Sequence, residues 1–108
     1  MLVRSINGVS GNFAVASNWM PADVPMAGDD AEINATDTCT VSSLVSETVD
    51  SLSTIATTTL ALGGNSTFTM SNGTGAGQNA GTIAIGDGSE LAADGTVDNT
   101  GKITLAGA

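Results

Sequence analysis

The C-terminal part of the chain repeats its own sequence. An Asn-x-Gly sequence followed by alternating apolar residues starts at Asn79 (NAGTIAI) and again at Asn99 (NTGKITL). A single coil of about 20 residues cannot bury its apolar side chains alone, and it leaves backbone groups unpaired above and below. Like coils that stack at about 4.8 Å pair strand on strand and bury a continuous core. The repeat therefore favours a parallel β-helix, which is a type of β-solenoid.

The repeat extends further towards the N-terminus. LALGGNSTF, residues 60–68, aligns with IAIGDGSEL, residues 83–91, and a third, partial copy is ITLAGA, residues 103–108. The interval from the first copy to the second is longer than the next one, and the extra length falls in the Gly-rich stretch SNGTGAGQNAG. Insertions confined to loops are typical of solenoids. A two-sheet sandwich also suits short, evenly spaced strands, but the near-identical register favours the helix.

Short alternating runs predict the strands. TLAL, TFTM, TIAI and KITL are separated by Gly, Asn or Asp, which indicates strands of about four residues with tight turns. Between residues 33 and 108 no apolar pattern of helical period persists, because Gly interrupts each candidate. A short helical turn near AGDDAEI, residues 27–33, is the one exception that we allow. The fold class is therefore all-β, with about four coils.

The alternation also predicts which side chains face the core. Six aliphatic side chains are expected to point inward: Ile83, Ile85, Leu91, Val97, Ile103 and Leu105. Three polar ones are expected to point outward: Thr82, Glu90 and Thr104.

The recurring Asn79 and Asn99 are expected at equivalent corners of successive coils. There a side-chain amide can bond backbone groups and stack on its counterpart in the next coil. Gly81 and Gly101 are expected to supply backbone angles that a side chain would resist. A ladder of ligand-binding amides is the functional alternative for the two Asn residues.

Composition narrows the classes of partner. The chain has 108 residues, of which 41% are hydrophobic, and eleven Asp and Glu residues against two Lys and Arg give a formal net charge of -9. Phosphate binding draws on clustered Lys and Arg, so we expect no nucleic acid as a partner. No apolar stretch approaches the ~18 residues of a membrane span, and the N-terminus lacks a secretory pattern. We therefore expect no membrane partner, and we expect either a chain made in the cytoplasm or a mature fragment of something longer.

Catalytic chemistry has few candidates in this sequence. The chain contains no histidine, which excludes Ser-His-Asp and Cys-His arrangements and the usual zinc sites. Acidic residues that fall within one coil leave polysaccharide cleavage as an alternative, because paired carboxylates can perform it: Asp87, Glu90, Asp94 and Asp98. We interpret them as solvated turn residues and predict a protein that is not an enzyme and uses no cofactor.

Calcium and thiol chemistry are the remaining candidates. Asp29 and Asp30 after a Gly, or Asp87 between two Gly residues, could offer oxygen ligands, but neither site matches an EF-hand loop or the nonapeptide calcium repeat. Turn and capping roles are favoured for these residues. Cys39 is the single cysteine, so it forms no internal disulfide, and a small buried apolar role is favoured over a reactive thiol.

The N-terminal segment differs from the rest of the chain. Aromatic and Pro residues concentrate in residues 1–32, and we predict that this segment caps the coils of residues 33–108. The expected cap residues are Phe13, Trp19 and Pro25, because a bulky aromatic fixed by rigid Pro turns can cover an open apolar end. A sugar-stacking platform is the alternative role for Trp19.

A group of residues in this segment carries a resemblance to a known family: Asn18, Trp19, Val24, Pro25, Gly28, Asp29, Ala31 and Ile33. Their order, followed by TVDSLSTI, TLALGGNSTF, NAGTI and NTGKI, resembles the Gly- and Thr-rich β-solenoid proteins of bacteriophage particles and bacterial surfaces. The resemblance covers nearly the whole chain. It implies a right-handed parallel β-helix in a structural or adhesive protein.

Three functions remain in competition after these arguments. The first is a structural component of a phage virion, such as a capsid decoration (cement) protein or a fibre base. The others are a fragment of a bacterial cell-surface adhesin and a small carbohydrate-binding or carbohydrate-cleaving module. The final strand, with Ile103 and Leu105, predicts an open end that another chain covers. We therefore expect a closed homo-oligomer, with a trimer preferred, held on a capsid or other assembly protein.

Overall fold

The computed structural model describes residues 2–5, 10–34 and 38–106 of the chain. The described residues form one short 3₁₀ helix, Ala16–Asn18, and twelve strands. The strands are β1 (Leu2–Ser5), β2 (Gly11–Asn12), β3 (Trp19–Met20), β4 (Asp30–Ile33), β5 (Cys39–Ser43), β6 (Glu47–Val49), β7 (Ser51–Thr54), β8 (Thr58–Leu62), β9 (Thr67–Met70), β10 (Thr82–Ile85), β11 (Glu90–Ala93) and β12 (Lys102–Leu105).

The strands form three sheets that are arranged as a β-solenoid of about three turns. Sheet A has the order β3-β1-β4-β7, sheet B the order β12-β10-β8-β5-β2, and sheet C the order β11-β9-β6. The chain passes from one sheet to the next and returns one coil further along. All strand pairs are parallel except β1–β3, which is antiparallel. The all-β prediction is confirmed.

The register of the sheets follows the sequence repeat. Leu60 pairs with Ile83, and Ile83 pairs with Ile103, so the three copies lie in adjacent strands of sheet B. Phe68 pairs with Leu91 in sheet C. The predicted runs TLAL, TFTM, TIAI and KITL lie in β8, β9, β10 and β12. The last two residues of the third copy, 107 and 108, lie outside the described residues.

The core occupies the interior of the coils. Its fully buried side chains include Leu60, Phe68 and Ile83, each 0% exposed. Ile85, Leu91 and Val97 are partly buried and pack against this core. Ile103 and Leu105 continue the same inward row but are 39% and 73% exposed, because no strand among the described residues stacks on the far side of β12.

The N-terminal segment adds strands to the solenoid. β1 pairs with β4 and β2 pairs with β5, both in parallel, so residues before position 32 extend sheets A and B. The short helical turn that the sequence allowed near residues 27–33 is not present as helix: residues 30–33 are strand β4, and the 3₁₀ helix is Ala16–Asn18. β4 is held extended because it pairs with a strand on each side, β1 and β7.

Candidate functional site

The aromatic residues of the N-terminal segment lie inside the solenoid. The Phe13 ring meets the rings of Trp19 and Phe68 edge to face, with centroid distances of 4.9 and 5.3 Å. The indole Nε1 of Trp19 donates to the Phe13 carbonyl at 2.8 Å. Trp19 is 1% exposed and Pro25 is buried. Burial leaves no ring face of Trp19 open to stack on a sugar in this conformation, whereas the role of the three residues as a cap stays a prediction.

Asn79 is the centre of a polar corner between coils. Its side chain is 1% exposed, and its Nδ2 donates to Asn99 Oδ1 at 2.9 Å and to the Lys102 carbonyl at 3.0 Å. Its Oδ1 accepts from the hydroxyl of Thr54 in the preceding coil. The Thr54 hydroxyl oxygen in turn accepts from the Gly81 N–H at 3.0 Å. The amide thus links three successive coils.

The glycines of this corner allow close backbone approach. A Cβ on Gly81 would collide with the Thr58 carbonyl oxygen, and one on Gly101 would collide with the Gly81 carbonyl oxygen. Neither glycine has a positive φ, so the reason for glycine here is contact with the neighbouring coil. The prediction that Gly81 and Gly101 supply special backbone angles was therefore wrong, although a side chain would be resisted at both positions.

Other buried hydroxyls serve the same purpose as the corner amide. Thr58 donates to the Ile33 and Ile55 carbonyls, and Ser66 donates to the Ser43 and Gly63 carbonyls. These contacts satisfy carbonyls at the turns between strands. These interior hydroxyls therefore bind the protein's own backbone.

The acidic residues that the sequence offered for catalysis or calcium lie at the surface. Four are exposed: Asp87, Glu90, Asp94 and Asp98. Asp29 Oδ2 accepts from the Met26 N–H at 3.0 Å, and Asp30 Oδ1 accepts from the Ser51 hydroxyl at 2.7 Å. Within the part of the chain that the structure describes, no three His, Cys, Asp or Glu side chains are grouped as a metal site would require.

A polar groove lies on the outer face of sheet A. Two adjoining cavities of about 310 and 230 Å³ share Glu32, Ser53 and Gly77 in their linings. Asp30 and Glu32 alternate with buried residues along β4, so they face this groove. The loop that contains Gly77 lies close over the sheet, since a Cβ on Gly77 would be 2.7 Å from Ser53 Cβ. We call this surface the sheet A groove.

The sheet A groove has a polar end and an apolar end. Asp30, Ser51 and Thr74 line the polar end, and Ile55 and Ala56 line the wall at the other end. Glu32 belongs to both cavities, and its Oε1 lies 3.4 Å from Arg4 Nε. Sequence reasoning missed this groove, because it depends on how the loop of residues 73–80 folds back over β7. The available signal was the alternation of Asp30 and Glu32 with apolar residues.

Burial changes the acid–base behaviour of two side chains. Burial raises the pKa of the Cys39 thiol, which is 2% exposed. Burial also raises the pKa of the Glu47 carboxyl, which is half-buried at the start of β6. Glu47 occupies the register position of Phe68, a core residue. A thiol that is buried and kept protonated is a poor nucleophile, in agreement with the structural role expected for Cys39.

The outer edge of β12 is the second candidate site. Leu105 is 73% exposed and Ile103 is 39% exposed, and Lys102 beside them is exposed. Lys102 N–H donates to the Gly81 carbonyl and Ala106 N–H to the Ile85 carbonyl. In a parallel ladder alternate residues turn their backbone groups to the same neighbour, so Ile103 and Leu105 turn theirs away from β10. We call this surface the β12 edge.

Comparison with protein-family models, with curated proteins and with solved structures gave no match for the chain. Over the described ranges, the structure also contains no helix of the length and apolar character that crossing a membrane requires.

Proposed function

We propose that the protein is a non-enzymatic structural component of a larger assembly, and that it associates through the β12 edge. The observation that carries the proposal is the exposure of Ile103 and Leu105 on an edge strand with free backbone groups. Natural monomers usually protect such edges, because an open apolar strand invites pairing with another chain. A structural role is also favoured by the buried polar side chains, which are engaged in joining coil to coil.

A closed homo-oligomer is the form of association that we favour. Closed symmetry buries the apolar edge of every copy, whereas an open arrangement leaves one edge exposed at the end of a filament. The net charge of -9 keeps the remaining surfaces apart. A trimer is the preferred oligomer, because a short β-helix that stands on a particle surface commonly lies on a symmetry axis of the particle.

The assembly that best suits the chain is a bacteriophage particle, with the protein as a capsid decoration protein or fibre base. The support is the resemblance carried by the N-terminal segment and the coils. A fragment of a bacterial cell-surface adhesin is the alternative within the same resemblance. The finer fold assignments belong to this proposal: a right-handed winding, about four coils, and a cap formed by residues 1–32 with Phe13, Trp19 and Pro25.

Two measurements test the assembly role. Light scattering on the purified chain at micromolar concentration is expected to give the mass of an oligomer. Hydrogen exchange is expected to show protected amides at Ile103 and Leu105, which face away from β10. A stable monomer would contradict the proposed homo-oligomer.

The place where the protein is found distinguishes a phage component from a cell-surface adhesin. Mass spectrometry of purified particles is expected to detect the chain, whereas an adhesin would be found in the cell-surface fraction. Arg4 and Lys102 are the two basic residues, so trypsin would leave nearly the whole chain in one peptide. A protease that cleaves at acidic residues is the suitable reagent.

A small carbohydrate-binding module is the second candidate function, and the sheet A groove is the observation that favours it. Its lining offers carboxylate, hydroxyl and amide groups beside an apolar wall, a combination that suits sugar ligands. A glycan array tests it directly. Ser53→Leu, which would fill the groove, is expected to abolish any binding. Thr59→Leu, on the outer row of β8, is the matched control that should retain binding.

A further inference from the structure

We propose that the β12 edge pairs antiparallel with the β12 edge of a second copy, about a two-fold axis that passes between the two Thr104 residues. This inference rests on the proposed assembly role and makes its contact at the β12 edge two-fold, so a three-fold closure of the assembly would contain six chains and not the three of a simple trimer. The pairing joins two five-stranded B sheets into one ten-stranded sheet across the axis. The inference is derived from the direction of the backbone N–H and C=O groups of β12, from the pattern of its exposed side chains and from the charges beside the edge.

The registers that this pairing can adopt are limited by which residues of β12 turn their backbone N–H and C=O groups towards the edge. Ile103 and Leu105 present the free N–H and C=O groups of the edge, since the groups of residues 102, 104 and 106 point to β10. In an antiparallel pair the residues that exchange hydrogen bonds must both present free groups. Three two-fold registers meet this condition: Ile103 opposite itself, Leu105 opposite itself, and Ile103 opposite Leu105 of the second copy.

The exposed apolar side chains select between these registers. When Ile103 lies opposite Leu105 of the second copy, both inward-facing side chains of each copy meet an apolar partner. When Ile103 lies opposite itself, Leu105 lies opposite Gly101 and stays uncovered. When Leu105 lies opposite itself, Ile103 is opposite neither of the two apolar side chains. A shift of one residue would put apolar side chains opposite outward polar ones. The register centred on Thr104 is the one that covers both Ile103 and Leu105.

The charges near the edge fit this register. The two Lys102 side chains start four residues apart along the paired strands, a separation of about 14 Å, so their mutual repulsion is largely screened. Lys102 lies opposite Ala106 of the second copy, and Ala106 stacks on the end of β10, next to the turn that contains Asp87. Lys102 and Asp87 of the second copy are then two strand spacings apart, about 10 Å between Cα atoms, within reach of a salt bridge.

The opposite end of the solenoid is less suited to the same contact, which argues for pairing of like ends. There sheet B ends in β2, a strand of two residues, and the Asn12 carbonyl already accepts from Asn18 Nδ2 at 3.1 Å. Sheet A ends in the antiparallel strand β3, also of two residues. Short and covered edges of this kind resist strand addition. A head-to-tail filament is therefore disfavoured.

Engineered disulfides test the register directly. In the proposed pair the two Thr104 residues face each other at a non-hydrogen-bonded position, where Cα atoms lie about 4.5 Å apart, a distance that a disulfide spans. Thr104→Cys is therefore expected to form a covalent dimer under mild oxidation. Lys102→Cys alone and Ala106→Cys alone should stay uncrosslinked, whereas a mixture of these two variants should crosslink. Native Cys39 is buried and does not compete.

Surface variants test the contact without a crosslink. Leu105→Glu is expected to eliminate the dimer at concentrations at which the unmodified chain is fully dimeric, and to fold normally because the side chain is largely exposed. Val45→Glu is the control, since Val45 is a 55% exposed apolar residue at another corner. Lys102→Glu should weaken the dimer, and adding Asp87→Lys should restore it.

The outcomes separate this inference from the proposed function. An oligomer in which Thr104→Cys fails to crosslink would overturn the two-fold contact and leave the assembly role standing. A monomer at high concentration would overturn both the contact and the homo-oligomer. A mass of two chains supports the contact alone, and a mass of six chains supports it together with the three-fold closure. A mass of three chains contradicts it, because a two-fold contact cannot close a trimer.

Discussion

The Asn79 side chain donates a 2.9 Å hydrogen bond to the Asn99 side chain one coil further along the solenoid. Asn79 is buried and Asn99 is exposed. The two residues occupy the same corner, where they also pair as an isolated parallel bridge. The same Asn-x-Gly motif therefore has two environments, one enclosed between coils and one at the last coil described. The two Asn side chains should contribute differently to the free energy of unfolding.

Replacing Asn79 by Ala is expected to lower the free energy of unfolding by about 2–4 kcal/mol, because the Lys102 carbonyl and the Thr54 hydroxyl lose a buried partner. Asn99→Ala is the matched control and should cost about 1 kcal/mol or less, because its site is open to water. Denaturant unfolding measures both values. Equal losses would show that burial does not decide the strength of this corner.

The alternation of β10 gives a second prediction. Ile83→Asp places a charge in the core, where the side chain is 0% exposed, and should cost about 4 kcal/mol or more, enough to unfold a domain of ordinary stability. Ile85→Asp, at a half-buried position of the same row, should cost less.

Thr82→Asp is the control on the outer row and should change stability by about 0.5 kcal/mol or less. Its new carboxylate would lie across from Lys102 in the adjacent strand, where opposite charges attract. Circular dichroism during thermal unfolding compares the three variants. The same melting temperature for all of them would contradict the inward and outward assignment.

The register of the coils could be predicted because the sequence repeats the inward-facing aliphatic positions of each coil. Leu60, Ile83 and Ile103 lie in one row because each coil places an aliphatic residue at the same inward position. The N-terminal strands carry no such signal. Leu2 pairs with Asp30, although β1 and β4 share no sequence similarity. β1 pairs with β4 because the edge of β4 has unpaired backbone groups, and this edge exists only once the coils have folded.

The sheet A groove and the position of Glu47 were beyond sequence reasoning for a different reason. The groove forms where residues 73–80 fold over β7, and the conformation of an inserted loop is not set by the coil period. Glu47 takes a register position that Phe68 fills in the next coil. A repeat predicts an apolar residue there, so the exception is visible only when the coils are stacked.

The aromatic cluster gives a third prediction. Trp19→Ala should lower the free energy of unfolding by about 3–5 kcal/mol, because the indole is 1% exposed and its truncation leaves a cavity beside Phe13. Met20→Ala is the neighbouring control, and it should have little effect because Met20 is 68% exposed. A Trp19→Ala variant of unchanged stability with a lost ligand affinity would instead support a binding role for Trp19.

The half-buried Glu47 gives a prediction about pH. Burial raises the pKa of Glu47 in the folded chain above its ordinary value of 4.5, so the folded state holds this proton more tightly than the unfolded state. Its contribution to stability is therefore fully present below pH 4.5 and is lost as pH rises through the raised pKa.

Glu47→Gln removes the ionisation and keeps the shape of the side chain. Because the neutral amide avoids the cost of a half-buried charge, the variant is expected to melt at a higher temperature than the unmodified chain at pH 7. The difference should shrink as pH falls and vanish well below pH 4.5, where both side chains are neutral. Thermal unfolding of both proteins from pH 3 to pH 8 measures it, with the exposed Glu90→Gln as the control for loss of a surface charge. A constant difference across the pH range would mean that packing, and not desolvation of the carboxylate, separates the two proteins.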